Sequence, residues 1–260
     1  MREAVASVVV RGDAAGSAVH RARPAGPLRL LCPRRPGGAA WVFASNLGGG
    51  LVDGDDVALD VQVGRGATCV ITTQASTKAY RGRTRQRTTV RIEDGAAAIV
   101  APDPVVPFRG AELVQATSID LAAGASLVLV DTLTAGRLAY GERWSAARID
   151  SALEVAIAGA PRLVDRVVLA GDAAARMQRF AALATCVLVG PRVAGAAARA
   201  LTQLRRPAPH APVVVAGSPL ADGAAFRIAG ERVDLVTAAA RALIGDACAE
   251  LGAVPWQRRW

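Results

Sequence analysis

With 260 residues, 52% of them apolar, the chain can bury one large core or two modest ones. No apolar run reaches the roughly 18 residues of a membrane span, and residues 1–16 hold no long apolar segment with a cleavage site, so the cytoplasm is the expected compartment and no membrane partner is expected. A formal charge of +9 suits a polyanionic partner, but only 4% of residues are aromatic and no RNP, KH or zinc-finger spacing occurs, which counts against nucleic acid.

Taken in chain order, the first conspicuous segment is NLGGGLVDGDD at 46–56. It lacks the lysine and Ser/Thr of a nucleotide site and reads as a sharp turn between β-layers. A period of 29 residues follows, centred on Gly66, Gly95 and Gly124, each followed by alanine. Val61 and Val63, Val90 and Ile92, and Ile119 and Leu121 precede these glycines, and CVI, AIV and LVL follow them. Strand, glycine turn and strand at a fixed period predict stacked β-layers. GGAAWVF at 37–43 is a fainter copy, and IAGAPRLV at 157–164 reads as a degenerate fifth, so residues 5–168 are expected to be all-β.

Between the first two glycines lies TTQASTKAYRG, whose Lys78 is the single lysine among 31 basic residues. In the next strand, alternation places Arg83, Arg85, Arg87 and Arg91 on one face and Thr84, Gln86, Thr88, Val90 and Ile92 on the other. The arginine stripe is either a solvated, guarded face or a docking surface for an acidic protein.

After residue 168 alanine-rich helical patterns replace the alternation. A short helix capped by Asp172, a strand at TCVLVG, a helix near 193–206, a loop at 207–212, strands at VVVAG and AFRIAG, and a helix carrying Val233, Val236, Ala240, Leu243, Ala247 and Leu251 are predicted. This 169–260 segment is expected to pack on the 1–168 layered region as one cooperative domain. The fold class expected is mainly β: a layered, β-helix-like stack with a smaller α+β C-terminal segment.

Signatures of catalysis are missing: the chain contains no P-loop, dinucleotide fingerprint, HExxH or Gly-x-Ser-x-Gly elbow. His20 and His210 fall in predicted loops, and Cys32, Cys69, Cys186 and Cys248 are widely spaced among apolar neighbours, as buried reduced thiols are. No His or Cys pair has metal-ligand spacing, so a bound metal would rest on oxygen ligands or on pairs distant in sequence.

Together, NLGGGLVDGDDVALDVQVGRGA, TTQASTKAYRG, PDPVVPF and LVDTLTAGRLAYGERW, in this order and spacing over residues 28–146, resemble the UreD family of urease accessory proteins. SPLADGAAFRIAGERVDLVTAAARALI at 218–244 and Trp260 agree more weakly, and RFAALATCVLVGPRVAGAAA matches poorly. The resemblance implies a β-helix-like fold and a non-enzymatic scaffold. Such a scaffold docks on apo-urease, recruits UreF and UreG, and helps pass nickel as transient cargo, with no tightly bound cofactor. Lys78, Tyr80 and Arg81 match the family's Thr-Lys-x-Tyr-Arg motif, and Arg137 and Trp144 lie in its LVDTLTAGRLAYGERW segment. On this reading Lys78 is a buried or interfacial tether pairing with Asp103 or Asp131, and Asp60, Asp103, Asp131 and Glu142 line a weak transit path. Weak oxygen ligands suit transit, whereas thiolate or multi-histidine sites would retain the ion. Asp53 stands where the family usually has glycine and is expected to tolerate an unusual backbone angle there. Two other readings remain open: a β-solenoid hydrolase or lyase using Asp103, Asp131 and Glu142 on an acidic polymer, and a basic nucleic-acid-binding module.

Overall fold

A computed structural model of the chain describes residues 5–34 and 37–257; Trp260 lies outside the described residues. In chain order the strands are β1 Val5–Asp13, β2 Gly16–Arg23, β3 Leu28–Leu31, β4 Ala40–Asn46, β5 Gly50–Leu51, β6 Asp56–Val63, β7 Thr68–Thr73, β8 Thr77–Ala79, β9 Gly82–Ile92, β10 Ala97–Val100, β11 Val105–Pro107, β12 Ala111–Leu121, β13 Ser126–Thr134, β14 Arg148–Ile157, β15 Ala160–Ala170, β16 Ala182–Val189, β17 Val213–Leu220 and β18 Gly223–Gly230. The helices are α1 Ala173–Met177, α2 Ala194–Gln203 and α3 Val233–Glu250.

The 29-residue period is the register of a β-solenoid of about three turns. Thr68, Ala97 and Ser126 are parallel cross-strand neighbours on β7, β10 and β13, and Ala40 of β4 pairs with Cys69, again 29 residues on. On the other side of each coil, Asp56, Arg85 and Val114 align on β6, β9 and β12. The turn between the two sides repeats as well: the amides of Ala67, Ala96 and Ala125 donate to the carbonyls of Gly64, Glu93 and Ala122, each at 3.0 Å. Gly66 and Gly95 take φ of 66° and 68° there, a conformation that costs most residues a Cβ clash.

Two sheets result. The first runs β15-β14-β12-β9-β6-β1-β2, and the second runs β17-β18-β16-β13-β10-β7-β4-β3, with the short strands β5, β8 and β11 beside it. Inward side chains such as Val61, Val90, Ile119, Leu127 and Leu129 form the core between the sheets. The outer face of the second sheet is covered by α2 and α3 through Val128, Ile99, Phe226, Val236, Ile244 and Cys248. Truncating one of these fully buried side chains to alanine costs about 2–5 kcal/mol.

The C-terminal segment does more than pack on the layers. Its strands β16, β18 and β17 extend the second sheet antiparallel from β13. The degenerate fifth copy is not a stacked layer: β14 and β15 form an antiparallel hairpin in which Ala158 and Gly159 turn at φ of 50° and 77°. Both central residues with positive φ make a tight hairpin turn, which reverses the chain instead of crossing it to the second sheet. His20 lies in β2, not in a loop, and Asp172 precedes α1 without a side-chain capping bond. Burial raises the thiols of Cys69, Cys186 and Cys248, the last two to about 12, and all four cysteines are free.

Candidate functional site

Midway along β9 and β12 the inward positions change from apolar to polar. Thr84, Gln86 and Thr88 point inward from β9, and Gln115 and Thr117 from β12, in register with one another. Side chains of this kind cannot close an apolar core, and a cavity of about 290 Å³ opens between the sheets, lined among others by Thr73, Gln86, Thr88, Gln115, Thr117 and Asp131. Gln115 Nε2 donates to Asp131 Oδ2 at 3.0 Å across the sheets. Burial pushes the Asp131 carboxyl up to about 6, against the lowering effect of the Gln115 and Thr132 hydrogen bonds.

Two buried carbonyl oxygens on this cavity, Gln115 Oε1 and Asn46 Oδ1, have no hydrogen-bond partner in the protein. A buried acceptor left unpaired costs about 1–3 kcal/mol, so these oxygens call for water in the cavity or for a group that donates to or coordinates oxygen.

The other three carboxylates of the expected path are elsewhere. Asp60 shares a face with Asp56 on β6, the outer face of the first sheet. Asp103 closes a turn: Thr73 Oγ1 donates to its Oδ2 at 3.0 Å, and its amide donates to Thr73 Oγ1 at 2.7 Å. Glu142, only 5% exposed, accepts from Arg137 Nε at 3.0 Å, Arg137 Nη2 at 2.5 Å and the Arg109 amide at 3.3 Å, and Arg137 holds its carboxyl below the usual range. Asp131 therefore faces the cavity without them. Among the described residues no three His, Cys, Asp or Glu side chains group as a metal site. Asp103, Asp131 and Glu142, the acid/base groups of the hydrolase reading, sit in separate networks.

The motif residues gather at a corner of the solenoid. Gly50 pairs with Lys78 and Lys78 with Val106, so Val52, Tyr80 and Phe108 follow one another up adjacent coils. Tyr80 meets Phe108 edge-on with ring centroids 5.1 Å apart, and the Arg137 guanidinium lies 4.1 Å from the Phe108 ring and 4.8 Å from that of Tyr140. Tyr140 is 74% exposed, with Leu138, Val52 and Arg81 exposed beside or below it. Lys78 is exposed and forms no ion pair with a described residue, so the expected pairing with Asp103 or Asp131 is not formed. Its strand position explains this: Thr77 and Ala79 take the inward places and Lys78 the outward one. Trp144 is buried, donates its indole N–H to the Phe180 carbonyl at 2.8 Å and holds φ of 52°, which makes it an internal anchor of the segment.

The arginine stripe faces outward on the first sheet, as alternation predicts, but acids on neighbouring strands meet it. Arg83 pairs with Glu112 at 3.2 Å, and Arg85 and Arg87 reach Asp56 at 3.7 and 3.1 Å. On the same face Asp150 accepts from Arg166 and Arg148, which pull its carboxyl down to about 2. This face is a lattice of mixed charge.

Gln115, Asp165 and Arg227 are site residues that the sequence reading missed. Gln115 was detectable, since it interrupts the apolar inward series Leu113, Ile119 and Leu121 of its strand. Asp165 and Arg227 come together only because β18 and β15 end beside each other across the sheets, with Arg227 Nη2 2.5 Å from Asp165 Oδ1.

The family model described as UreD urease accessory protein matches residues 2–260. A urease accessory protein UreD of Sorangium cellulosum (strain So ce56) is 43% identical over 93% of this chain and 80% of its own length. One from Anaeromyxobacter sp. (strain Fw109-5) is 40% identical over 96% of this chain and 87% of its own. A urease accessory protein D of Oryza sativa subsp. indica is 34% identical over 68% of this chain and 62% of its own. A match over nearly every residue, carried on a solenoid whose register is the sequence repeat, makes this chain a member of the UreD family of urease accessory proteins.

Proposed function

We propose that this chain is a scaffold for nickel insertion into apo-urease, working with UreF and UreG, and that nickel passes through the cavity between its two sheets. The observation that carries the reading is the meeting of Asp131 with Gln115 inside that cavity, where the Gln115 carbonyl is unpartnered and a second unpartnered oxygen, that of Asn46, lines the same space three strands away on β4. One carboxylate with neutral carbonyl and hydroxyl oxygens attracts a divalent ion without the multi-thiolate or multi-histidine grip that would retain it. A carboxyl that titrates near 6 is ionised for most of the time at neutral pH, when it can attract the ion, and is readily neutralised.

The corner formed by Tyr80, Phe108, Arg137 and Tyr140, with Leu138 and Val52 exposed beside it, supplies the docking surface for a protein partner. Aromatic and arginine side chains with exposed apolar neighbours have the composition of interface anchors. The outer face of the first sheet fits this role less well, because Arg83, Arg85 and Arg87 are already paired with acids.

Activation of apo-urease at limiting nickel tests the transit role. Asp131→Asn keeps the shape of the side chain, so the complex with partners should persist while activation slows by about tenfold and recovers in part with excess nickel. Wild-type activation by this variant at limiting nickel would remove Asp131 from the path.

A further inference from the structure

Asp131 also lines a second, smaller space between the sheets. Asp131, Thr185 and Arg227 are direct cross-strand neighbours on β13, β16 and β18. Facing them, Gln115 pairs in register with Ser151, and Leu153 with Asp165, on β12, β14 and β15. A constriction of about 20 Å³ joins Asp131, Ser151, Thr185, Asp165 and Arg227. That is room for one water or one bare cation. Arg227 Nη2 lies 2.5 Å from Asp165 Oδ1, and Thr185 Oγ1 donates to Asp165 Oδ2 at 3.3 Å. The side chains of Arg227 and Asp165 are 37% and 22% exposed, so this pair stands where the interior meets solvent.

The polar side chains that line the constriction, set among Leu133, Leu153, Val167 and Leu183, are two carboxylates, two hydroxyls and the Arg227 guanidinium. The carboxylates and hydroxyls suit a divalent cation. The one cation present is the guanidinium of Arg227, tethered to β18.

Resting on the nickel-path reading above, we propose that Arg227 is a displaceable plug: a divalent cation arriving at Asp131 competes with the guanidinium for Asp165, so the Arg227–Asp165 pair gates the far end of the path. While Arg227 is in place its charge opposes a second cation in the constriction and keeps binding there weak. When the ion draws Asp165 away, the guanidinium swings toward solvent and the end opens. No covalent bond changes, and the ion's charge replaces that of the arginine.

Nickel binding to the purified full chain, measured by equilibrium dialysis of nickel alone, tests the plug independently of urease activation. Arg227→Gln should bind one nickel ion about tenfold more tightly than the unmodified chain, because the competing charge is gone. Adding Asp131→Asn or Asp165→Asn to Arg227→Gln should abolish the gain. Should the glutamine variant fail to fold, Arg227→Met keeps the apolar stem and carries the same expectation. Unchanged affinity on removing Arg227, or a gain that survives loss of both carboxylates, overturns the proposal. A slow Asp131→Asn scaffold together with unchanged nickel affinity in Arg227→Gln would sink the plug and leave the path standing. Normal activation by Asp131→Asn at limiting nickel would remove Asp131 from the path and overturn the plug with it.

Discussion

Gln115 and Asp131 meet across the two sheets through one hydrogen bond, Gln115 Nε2 to Asp131 Oδ2 at 3.0 Å, where the apolar interior gives way to a cavity. The bond lets an acidic group sit inside the solenoid. It does not remove the cost of burial, which raises the Asp131 carboxyl from 3.8 to about 6.

That shift sets a pH dependence of stability. The folded chain holds the Asp131 proton more tightly than the unfolded chain, so the stabilisation is full below about 3.8 and is lost as pH rises through about 6. Asp131→Asn should therefore stabilise the protein by about 1–2 kcal/mol at pH 7.5, and the difference should disappear near pH 3.5. Thermal unfolding at the two pH values checks it; equal effects at both would mean that ionisation of Asp131 carries no penalty.

A second relationship concerns the glycine-rich turn. Asp53 does not adopt a left-handed backbone; Gly54 does, at φ of 86°. The Asp53 carboxylate instead accepts the Arg83 amide at 2.7 Å and fills the space beside Gly82, where a Cβ would lie 2.5 Å from Oδ1. With Gly82 at φ of 116°, Gly82→Ala should cost about 2–4 kcal/mol. Adding Asp53→Gly should recover only part of this, since the backbone strain remains. Denaturant unfolding of the two variants measures both effects; full recovery would place the whole cost in the side-chain clash.

The corner and the stripe make opposite claims about docking. Leu138→Asp with Tyr140→Asp alters two exposed side chains and should leave the fold intact while weakening capture of the proposed UreF-type partner by about 100-fold, the usual effect of losing central anchors. Arg83, Arg85 and Arg87 changed together to Gln should shift that affinity by no more than about threefold, because exposed, paired charges contribute little. Pull-down at two salt concentrations separates the cases. A strong loss with the stripe variant and none at the corner would move the interface to the first sheet.

How much of this was legible in the sequence follows from where the information lies. The stacked coils were legible because a 29-residue repeat and a parallel register of 29 are the same fact, seen once along the chain and once across it. The hairpin at Ala158–Gly159 was misread because strand, glycine and strand describes a reversal as well as a crossing, and only backbone angles at the turn distinguish them. The alternation of β9 correctly separated the arginines from Thr84, Gln86 and Thr88, yet it could not show that Asp56 and Glu112 would answer the charge from neighbouring coils. Of the four expected path carboxylates, Asp131 has an inward strand position, whereas Glu142 and Asp103 lie in turns whose bonding partners depend on local backbone geometry. The Arg227–Asp165 pair required the C-terminal strands to join the second sheet, which no local pattern announced.

The central claim is that nickel travels through the space between the sheets, and narrowing that space tests it most directly. Thr117 lines the cavity from an inward position on β12, and phenylalanine there would narrow the 290 Å³ space without adding charge. Urease activation at limiting nickel should be measured with Thr117→Phe after checking that the variant is folded and still enters the complex with its partners. The account predicts activation reduced by about tenfold or more, with excess nickel giving little rescue because the route is narrowed and not merely less attractive to the ion. Activation at the unmodified rate by a folded, complexed Thr117→Phe scaffold would contradict it.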